Sequence, residues 1–289
     1  MGLVEELTAL LGEERVTEDP FALLMYSKDA GASRGHADLV VFPETTEEVA
    51  EVVRIVSRHG VPIVARGAGT GLAAGAVPNE GGVVVSLKRM DRIHEVDVEN
   101  RTAWVGPGVI NLDLSVATQP YGLHFAPDPS SQSVCTIGGN VANNSGGPHC
   151  LAEGSTVAHV LALEVVLADG EVTTLGSAAP DPIGLDLRGV MIGSEGTLGL
   201  VTKVLVRLLP NPPDVRTLLL AFDTVEDAAA TVSGIIAAGV VPAALEMLHH
   251  AIAVAVEHWL PGPLPVEAAA LPPAAAVGEP AALHAAAAP

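Results

Sequence analysis

Arg66-Gly67-Ala68-Gly69-Thr70-Gly71-Leu72-Ala73-Ala74-Gly75 is the stretch on which the fold turns. It follows Val61 to Ala65, which reads as a short buried strand. Gly69 to Ala74 fits the G-x-G-x-x-G/A spacing of a dinucleotide loop, and that motif also requires a preceding strand. The helix that should come next has no room. Eleven residues separate Gly71 from Val83, and they include Gly75, Pro78, Gly81 and Gly82. No acidic residue closes the next strand to hold a ribose, and no Gly-Lys-Ser/Thr makes a Walker loop. Two readings remain: a nest of backbone amides for a phosphate with no helix dipole behind it, or a plain surface turn. In the first, glycines at 67, 69 and 71 let the main chain approach a pyrophosphate, and Thr70 adds a hydroxyl donor.

Outward from the loop, Thr45 is an N-cap with Glu48 three residues on, and Val49, Val52, Val53 and Val56 line one helical face that Gly60 ends. Gly82 to Leu87 and Thr102 to Val105 read as strands, and Asn111 to Thr118 as a short helix. Ala126 to Ser131 is irregular, and the glycines and asparagines between Thr136 and Gly147 read as loop. Val160 to Ala168, the turn Asp169-Gly170 and Glu171 to Leu175 form a hairpin. Gly199 to Leu208 is another strand. This is an α+β pattern, without the regular βαβ alternation of a doubly wound sheet. Pro210-Asn211-Pro212-Pro213 marks a domain boundary. Beyond it come a strand from Thr217 to Phe222 and a helix capped by Thr224, with Val232, Ile235 and Ile236 inward and Gly239 as terminator. A strand-like piece and a helix through Glu257 follow, so this part opens as β-α-β with no closing half.

Composition narrows the function classes. A chain of 289 residues with 49% apolar and 17% charged residues has ample length for a packed core. A net charge of −20 repels a nucleic-acid backbone, and no Lys/Arg cluster offsets it. No apolar run approaches the ~18 residues of a membrane span, and the acidic start Met1 to Glu6 is unlike a signal peptide. Cys135 and Cys150 make neither a disulfide framework nor a structural zinc site, so a reduced cytoplasmic protein is expected, with Cys135 as a small buried residue. Adjacent residues on a helix diverge by ~100°, so His249-His250 is not expected to hold a metal. From Leu260 to Pro289 alanine and proline dominate, which predicts little packing. That segment reads either as a flexible tail or as the product of a lost reading frame.

Five motifs in order make the nest reading specific. They are Pro43 to Val49, Ala65 to Gly71, Asp128 to Ser131, Thr136 to Ala142 with Asn144 to Gly147, and Gly193 to Gly199. Together they resemble the FAD-linked oxidases of the vanillyl-alcohol oxidase and p-cresol methylhydroxylase type. Within that type the chain is most similar to the FAD-binding subunit of glycolate oxidase and to the D-lactate and D-2-hydroxyglutarate dehydrogenases. The resemblance implies a two-lobed FAD-binding domain over residues 1–210, with lobes of roughly 1–105 and 106–210. An incomplete α+β substrate cap would then occupy 211–259 and an unpacked tail 260–289.

The resemblance also implies site roles. Arg66, Gly67, Ala68, Gly69, Thr70 and Gly71 would wrap the pyrophosphate of FAD. Pro129, Ser130, Ile137, Gly138, Gly139 and Asn140 would run along the ribityl chain and flavin ring, with Asn144 and Gly146 beside them. Glu195, Gly196, Gly199 and Val201 would border the adenosine end. The loop holds no His or Cys, so the flavin is expected to be non-covalent. His149 is the one residue offered for a role beside the flavin, against a hydrogen-bonded structural histidine. Leu151 to Gly154 and Asn143 depart from the family pattern, which touches the tuning of the flavin pocket. The implied reaction is hydride transfer from a D-2-hydroxy acid of glycolate or D-lactate type to flavin N5. Neither the base nor the C-terminal metal motif of the relatives occurs here, so the chain alone is expected to turn over near background. The rival readings are a non-catalytic FAD-carrying subunit of a larger complex and a cofactor-free remnant.

Overall fold

Thr45 accepts a hydrogen bond from Glu48 N (3.2 Å), and the Glu48 carboxylate in turn accepts from Glu44 N (2.7 Å). A helix that starts this firmly can bury a valine stripe, and Val49, Val52, Val53 and Val56 are all at most 1% exposed. Burial of such a side chain stabilises by about 1.5–3 kcal/mol. The computed structural model describes residues 2–179, 184–256, 270–271 and 273–277. In chain order the first lobe contains α1 (Leu3–Leu11), β1 (Val16–Thr17), α2 (Pro20–Tyr26), β2 (Leu39–Val41), α3 (Thr46–Arg58), β3 (Ile63–Arg66) and β4 (Val83–Ser86). The sheet runs β1-β2-β4-β3, with β2, β4 and β3 parallel and β1 antiparallel at the edge. All three residues of β2 and all four of β4 are buried, as a parallel strand covered on both faces must be. The α3 valines pack with Leu7 and Leu11 of α1 against this sheet.

The second lobe follows with β5 (Ile93–Asp97), β6 (Thr102–Val105), α4 (Asn111–Thr118), β7 (Leu123–His124), α5 (Ile137–Asn143) and, after a short helix α6 (Cys150–Glu153) that groups elsewhere, β8 (Val160–Val166), β9 (Val172–Gly176), α7 (Leu187–Met191), β10 (Leu200–Arg207) and β11 (Leu209–Pro210). Its main sheet is antiparallel, in the order β5-β6-β10-β8-β9, and β11 pairs with β7. Two expectations change here. The lobes divide between Ser86 and Ile93, earlier than residue 105, because β5 and β6 hydrogen-bond into the second sheet. The segment read as loop after Thr136 is helical from Ile137 to Asn143. Thr136 Oγ1 accepts from Gly139 N (3.2 Å), and the buried Ile137 and Val141 anchor the turn in the core. Local capping and burial override the glycine pair's poor helix propensity.

The two lobes are tied by a carboxylate. Glu164 of β8 accepts from Thr46 Oγ1 of α3 (2.6 Å), from Thr202 Oγ1 (3.0 Å) and from Lys203 Nζ (3.0 Å). Burial alone would raise its pKa, but the bonds from Thr46, Lys203 and Thr202 prevail and hold it below the ordinary glutamate value of 4.5. A carboxyl whose folded pKa is depressed stabilises fully above its unfolded value and ceases to do so as pH falls through the folded one. Acid melts should therefore show a stability loss below pH 4.5 that Glu164→Gln flattens. Identical acid profiles for the two proteins would remove the tie from this account.

Asn211 onward groups with Gly146–Gly154 as a second compact unit, apart from the unit of residues 1–145 and 155–210. It contains α6, β12 (Val215–Leu219), α8 (Val225–Ala237), β13 (Ala244–Leu245), β14 (Leu248–His249), α9 (His250–Val256), β15 (Ala270–Leu271) and β16 (Pro273–Val277). The strand β16 lies between β12 and β13, and β15 pairs with β14. The β-α-β opening is thus closed by residues for which composition predicted no packing. Backbone pairing needs no large side chains, and Pro273 stands at the first strand position, where a missing N–H is tolerated. The rest of the expected tail lies outside the described residues. In α8 Ala228 is buried, Val232 and Ile235 are half-buried and Ile236 is exposed. Ile236 was expected inward, but it lies one residue around from the Ala228–Val232–Ile235 face.

Candidate cofactor site

The parallel pair β3 and β4 ends at Arg66 and Ser86, and the glycine loop leaves from that end. Gly67 lies against the capping residue of α5: a Cβ there would come within 2.4 Å of Thr136 Oγ1. Gly69 has φ +71°, and a Cβ there would meet Arg66 Nη2 at 2.2 Å. Only glycine leaves both approaches open without strain. Among the described residues no acceptor meets the amides of Gly67, Ala68, Gly69 or Thr70. Four successive amides without a protein acceptor at a strand end are what the nest reading of the sequence requires.

Arg66 occupies the underside of this loop. It is 8% exposed; its guanidinium donates to Ala76 O (3.1 Å) and Tyr26 O (3.5 Å) and lies 5.1 Å from the Tyr26 ring centroid. Burial lowers its pKa, against the attraction of Tyr26 and Asp29, yet an arginine stays charged at neutral pH. It thereby ties the start of the loop to Ala76 and Tyr26 and leaves a positive charge buried beside it. Asp29 braces the other side, where its carboxylate accepts from Ala74 N (3.0 Å) and Gly31 N (2.8 Å). Arg66, Gly67 and Ala68 border a cavity of about 480 Å³ whose wall also includes Tyr26, Lys88, Val109 and Thr136. That size suits part of a large organic ligand.

The helix α5 was expected along the flavin, and its amides are already engaged. Ile137 N donates to Val109 O, Gly138 N to Pro107 O, Gly139 N to Thr136 Oγ1 and Asn140 N to Thr136 O. The Ile137 side chain is fully buried. The Asn140 side chain turns inward, accepts from Asn111 Nδ2 (2.9 Å) and donates to Cys135 Sγ (3.4 Å). These residues can offer a cofactor shape and carbonyls but no N–H donors. Cys135 is buried and free, as expected. Asn111 is a site-supporting residue that sequence reading passed over; it also donates to Pro127 O (2.8 Å), and its Oδ1 is buried without a partner. Asn111→Ala strands Asn140 and Pro127 and should lower the unfolding free energy by about 1–3 kcal/mol. Thermal melts check this, and an unchanged melting temperature would contradict it.

The remaining predicted positions divide. Pro129 and Ser130 lie in the turn before α5, with Pro129 O accepting from Gln132 N (2.8 Å). Glu195 and Gly196 reach the loop: a Cβ on Gly75 would come within 2.7 Å of Glu195 Cδ, and one on Gly196 within 2.9 Å of Ala65 Cβ. Gly71 is adjacent to Asn143, its Cβ position 3.6 Å from Asn143 Oδ1. Asn144 caps α5 and its Oδ1 accepts from Ser155 Oγ (3.1 Å) and Val157 N (2.9 Å), a bracing role. Gly199 makes room for Val165 and the Val166 carbonyl, and Val201 pairs with Val165 in the sheet. Gly146 and His149 belong to the segment that groups with the second unit, where the His149 carbonyl accepts from Ala152 N and Glu153 N of α6. His249 ends β14 and His250 begins α9, and the described residues contain no group of His, Cys, Asp and Glu able to hold a metal. No helix among them is long and apolar enough to cross a membrane.

Residues 37–176 match the FAD binding domain model and residues 211–286 the C-terminal domain of FAD linked oxidases. The chain is 44% identical to the glycolate oxidase subunit GlcD of Bacillus subtilis over 269 residues, which is 92% of this chain and 57% of that protein. It is 48% identical to its Escherichia coli K12 counterpart over 81% of this chain and 47% of that one. A D-lactate dehydrogenase of Anaerostipes hadrus is 36% identical over 87% of this chain and 52% of its own. The chain spans about half the length of the curated relatives it matches. Among solved structures, alkyldihydroxyacetonephosphate synthase superposes with a TM-score of 0.85 at 21% identity, covering 98% of this chain and 57% of that one. For p-cresol methylhydroxylase the values are 0.83, 22%, 98% and 62%. At these identities the two structures establish the fold alone.

Proposed function

Because the chain belongs to the FAD-linked oxidases and has the fold of p-cresol methylhydroxylase, we propose that it binds FAD non-covalently through the loop at 66–71 and serves the oxidation of a small D-2-hydroxy acid. The observation that carries this is the row of free amides from Gly67 to Thr70 above the buried Arg66. A diphosphate has the charge and acceptor oxygens that such a nest lacks, and the −20 field of the chain makes local donors necessary. When bound, FAD supplies the two-electron redox chemistry, while the protein binds and orients it. The substrate class follows the glycolate oxidase subunits and D-lactate dehydrogenase among the relatives. Since two of those relatives are named as subunits, companion subunits of an oxidase complex belong to the same proposal.

The purified protein should be yellow, and denaturation should release the flavin as free FAD. A colourless protein that takes up no added FAD overturns the reading, and flavin that stays with the denatured chain overturns its non-covalent part. Positioned acid–base help is commonly worth about 10²–10⁴ in rate, and among the described residues no side chain is assigned as the base for the substrate hydroxyl. Turnover is therefore expected near background, and the substrate class is best tested in a single turnover. Anaerobic mixing should show slow bleaching with glycolate, D-lactate or D-2-hydroxyglutarate and none with L-lactate. Absence of bleaching with every hydroxy acid removes this reading for the chain.

A further inference from the structure

We propose that Lys88 is a second cationic contact for the diphosphate of FAD, an inference that rests on the cofactor reading above. Cations are scarce in this chain, 14 Lys and Arg against 34 Asp and Glu, and the described basic residues near the glycine loop are mostly spoken for. Arg89 is paired with Glu44 at 2.8 Å, and Arg15 with Glu48 at 2.8 Å. Lys88, the sequence neighbour of Arg89, is different. Among the described residues no carboxylate lies within ion-pair distance of its ammonium and no acceptor takes its protons.

Its position is nevertheless defined. The Nζ lies 4.9 Å from the Phe42 ring centroid and 5.8 Å from that of Tyr26, and the two rings pack edge to face, 5.7 Å apart. Aromatic faces attract an ammonium through their quadrupole without accepting its protons as a carboxylate would. All three N–H donors stay available. Lys88 also lines the cavity that Arg66, Gly67 and Ala68 border. Tyr26 thus holds both cations, Arg66 at 5.1 Å and Lys88 at 5.8 Å from its ring centroid. Two carboxylates, Asp91 and Asp113, line the same cavity. An anion is favoured there only where Lys88, Arg66 and the free loop amides outweigh those two carboxylates. A diphosphate spanning the nest and reaching the ammonium meets that condition.

The test is FAD binding to the cofactor-stripped protein, read by flavin fluorescence at low and high salt, with Lys88→Met and Lys88→Arg. Methionine keeps an apolar stem over the two rings and removes only the charge. Lys88→Met is expected to weaken FAD about tenfold at low salt, as loss of one charge-assisted contact would. The gap should narrow at high salt, because a partly exposed charge is screened. Lys88→Arg should stay within a few-fold of the parent. Equal FAD affinity for parent and Lys88→Met overturns the inference while leaving the cofactor reading intact. A salt-independent loss that Lys88→Arg shares also overturns it, since that is the signature of altered packing. Failure of the parent protein to bind FAD would instead overturn the cofactor reading, and this inference with it.

Discussion

Gly69→Asp is expected to lower FAD affinity by about 100-fold or more, equivalent to about 2.8 kcal/mol. Gly69 has φ +71°, and its absent Cβ would sit 2.2 Å from Arg66 Nη2. Aspartate tolerates the left-handed region better than most residues, so the loop need not unfold to accept it. Its carboxylate would then pair with the guanidinium that otherwise charges the nest, and would compete with the phosphate for the same amides. Two effects act in one direction: a cation is neutralised and an anion is installed. Because the new carboxylate finds a buried partner, the cofactor-free protein should stay folded, with a melting temperature lowered by the strain of a side chain at this φ. That separates this variant from one that merely misfolds. Titration of FAD into the cofactor-free variant and its parent decides the matter, and comparable dissociation constants would place the diphosphate elsewhere.

Much of the scaffold around this loop was legible because its signals are local. Thr45 and Glu48 start α3, Asp169-Gly170 turns the hairpin between β8 and β9, and Asn111 to Thr118 is helical over the range read from the sequence. The helix α1 carried a readable signal too. Leu3, Leu7, Leu10 and Leu11 recur at helical spacing, and Leu7 and Leu11 are at most 2% exposed. The helix α5 was obscured for a physical reason. Its glycines and asparagines are poor helix formers, and what makes it fold is tertiary: the Thr136 cap, the buried Ile137 and Val141, and the Gly138 amide bonded to Pro107 O. The lobe boundary was misplaced because strand pattern reveals alternation but not partner, and β5 and β6 find theirs in β10.

The site shows the same division between local and long-range information. The glycine spacing pointed to the tight turns of the loop, since positive φ and close approach are demands that a single residue type meets. Which way a long side chain turns is not encoded by spacing. Arg66 ends a strand and so reads as a residue facing the ligand, yet its guanidinium folds beneath the loop to reach Ala76 and Tyr26, the latter forty residues away in sequence. Asn111, Asp29 and Lys88 act through partners brought together only by the fold, and nothing in their immediate sequence announces them. The inward turn of Asn140 belongs to the same class, because the Asn111 amide that receives it lies 29 positions earlier.

That buried guanidinium gives the second large effect. Arg66→Met should weaken FAD by about 10- to 100-fold, the range expected when a hydrogen-bonding charge worth about 1.5–3 kcal/mol is lost. It should also destabilise the cofactor-free protein. The Ala76 and Tyr26 carbonyls lose their donor, and a buried acceptor left unmet costs about 1–3 kcal/mol. The Asp29 carboxylate still braces Ala74 N, so the loop should loosen over its first half and retain its second. Arg66→Lys is expected to recover only part of the loss. A lysine restores the charge, but its point-like ammonium lacks the planar fork that serves two carbonyls while lying over the Tyr26 ring. The ordering parent, then Arg66→Lys, then Arg66→Met, in both FAD affinity and melting temperature, is the expected result. Should Arg66→Met bind FAD as the parent does, the free amides of Gly67 to Thr70 would suffice for the diphosphate, and the arginine would be reduced to a strut of the loop.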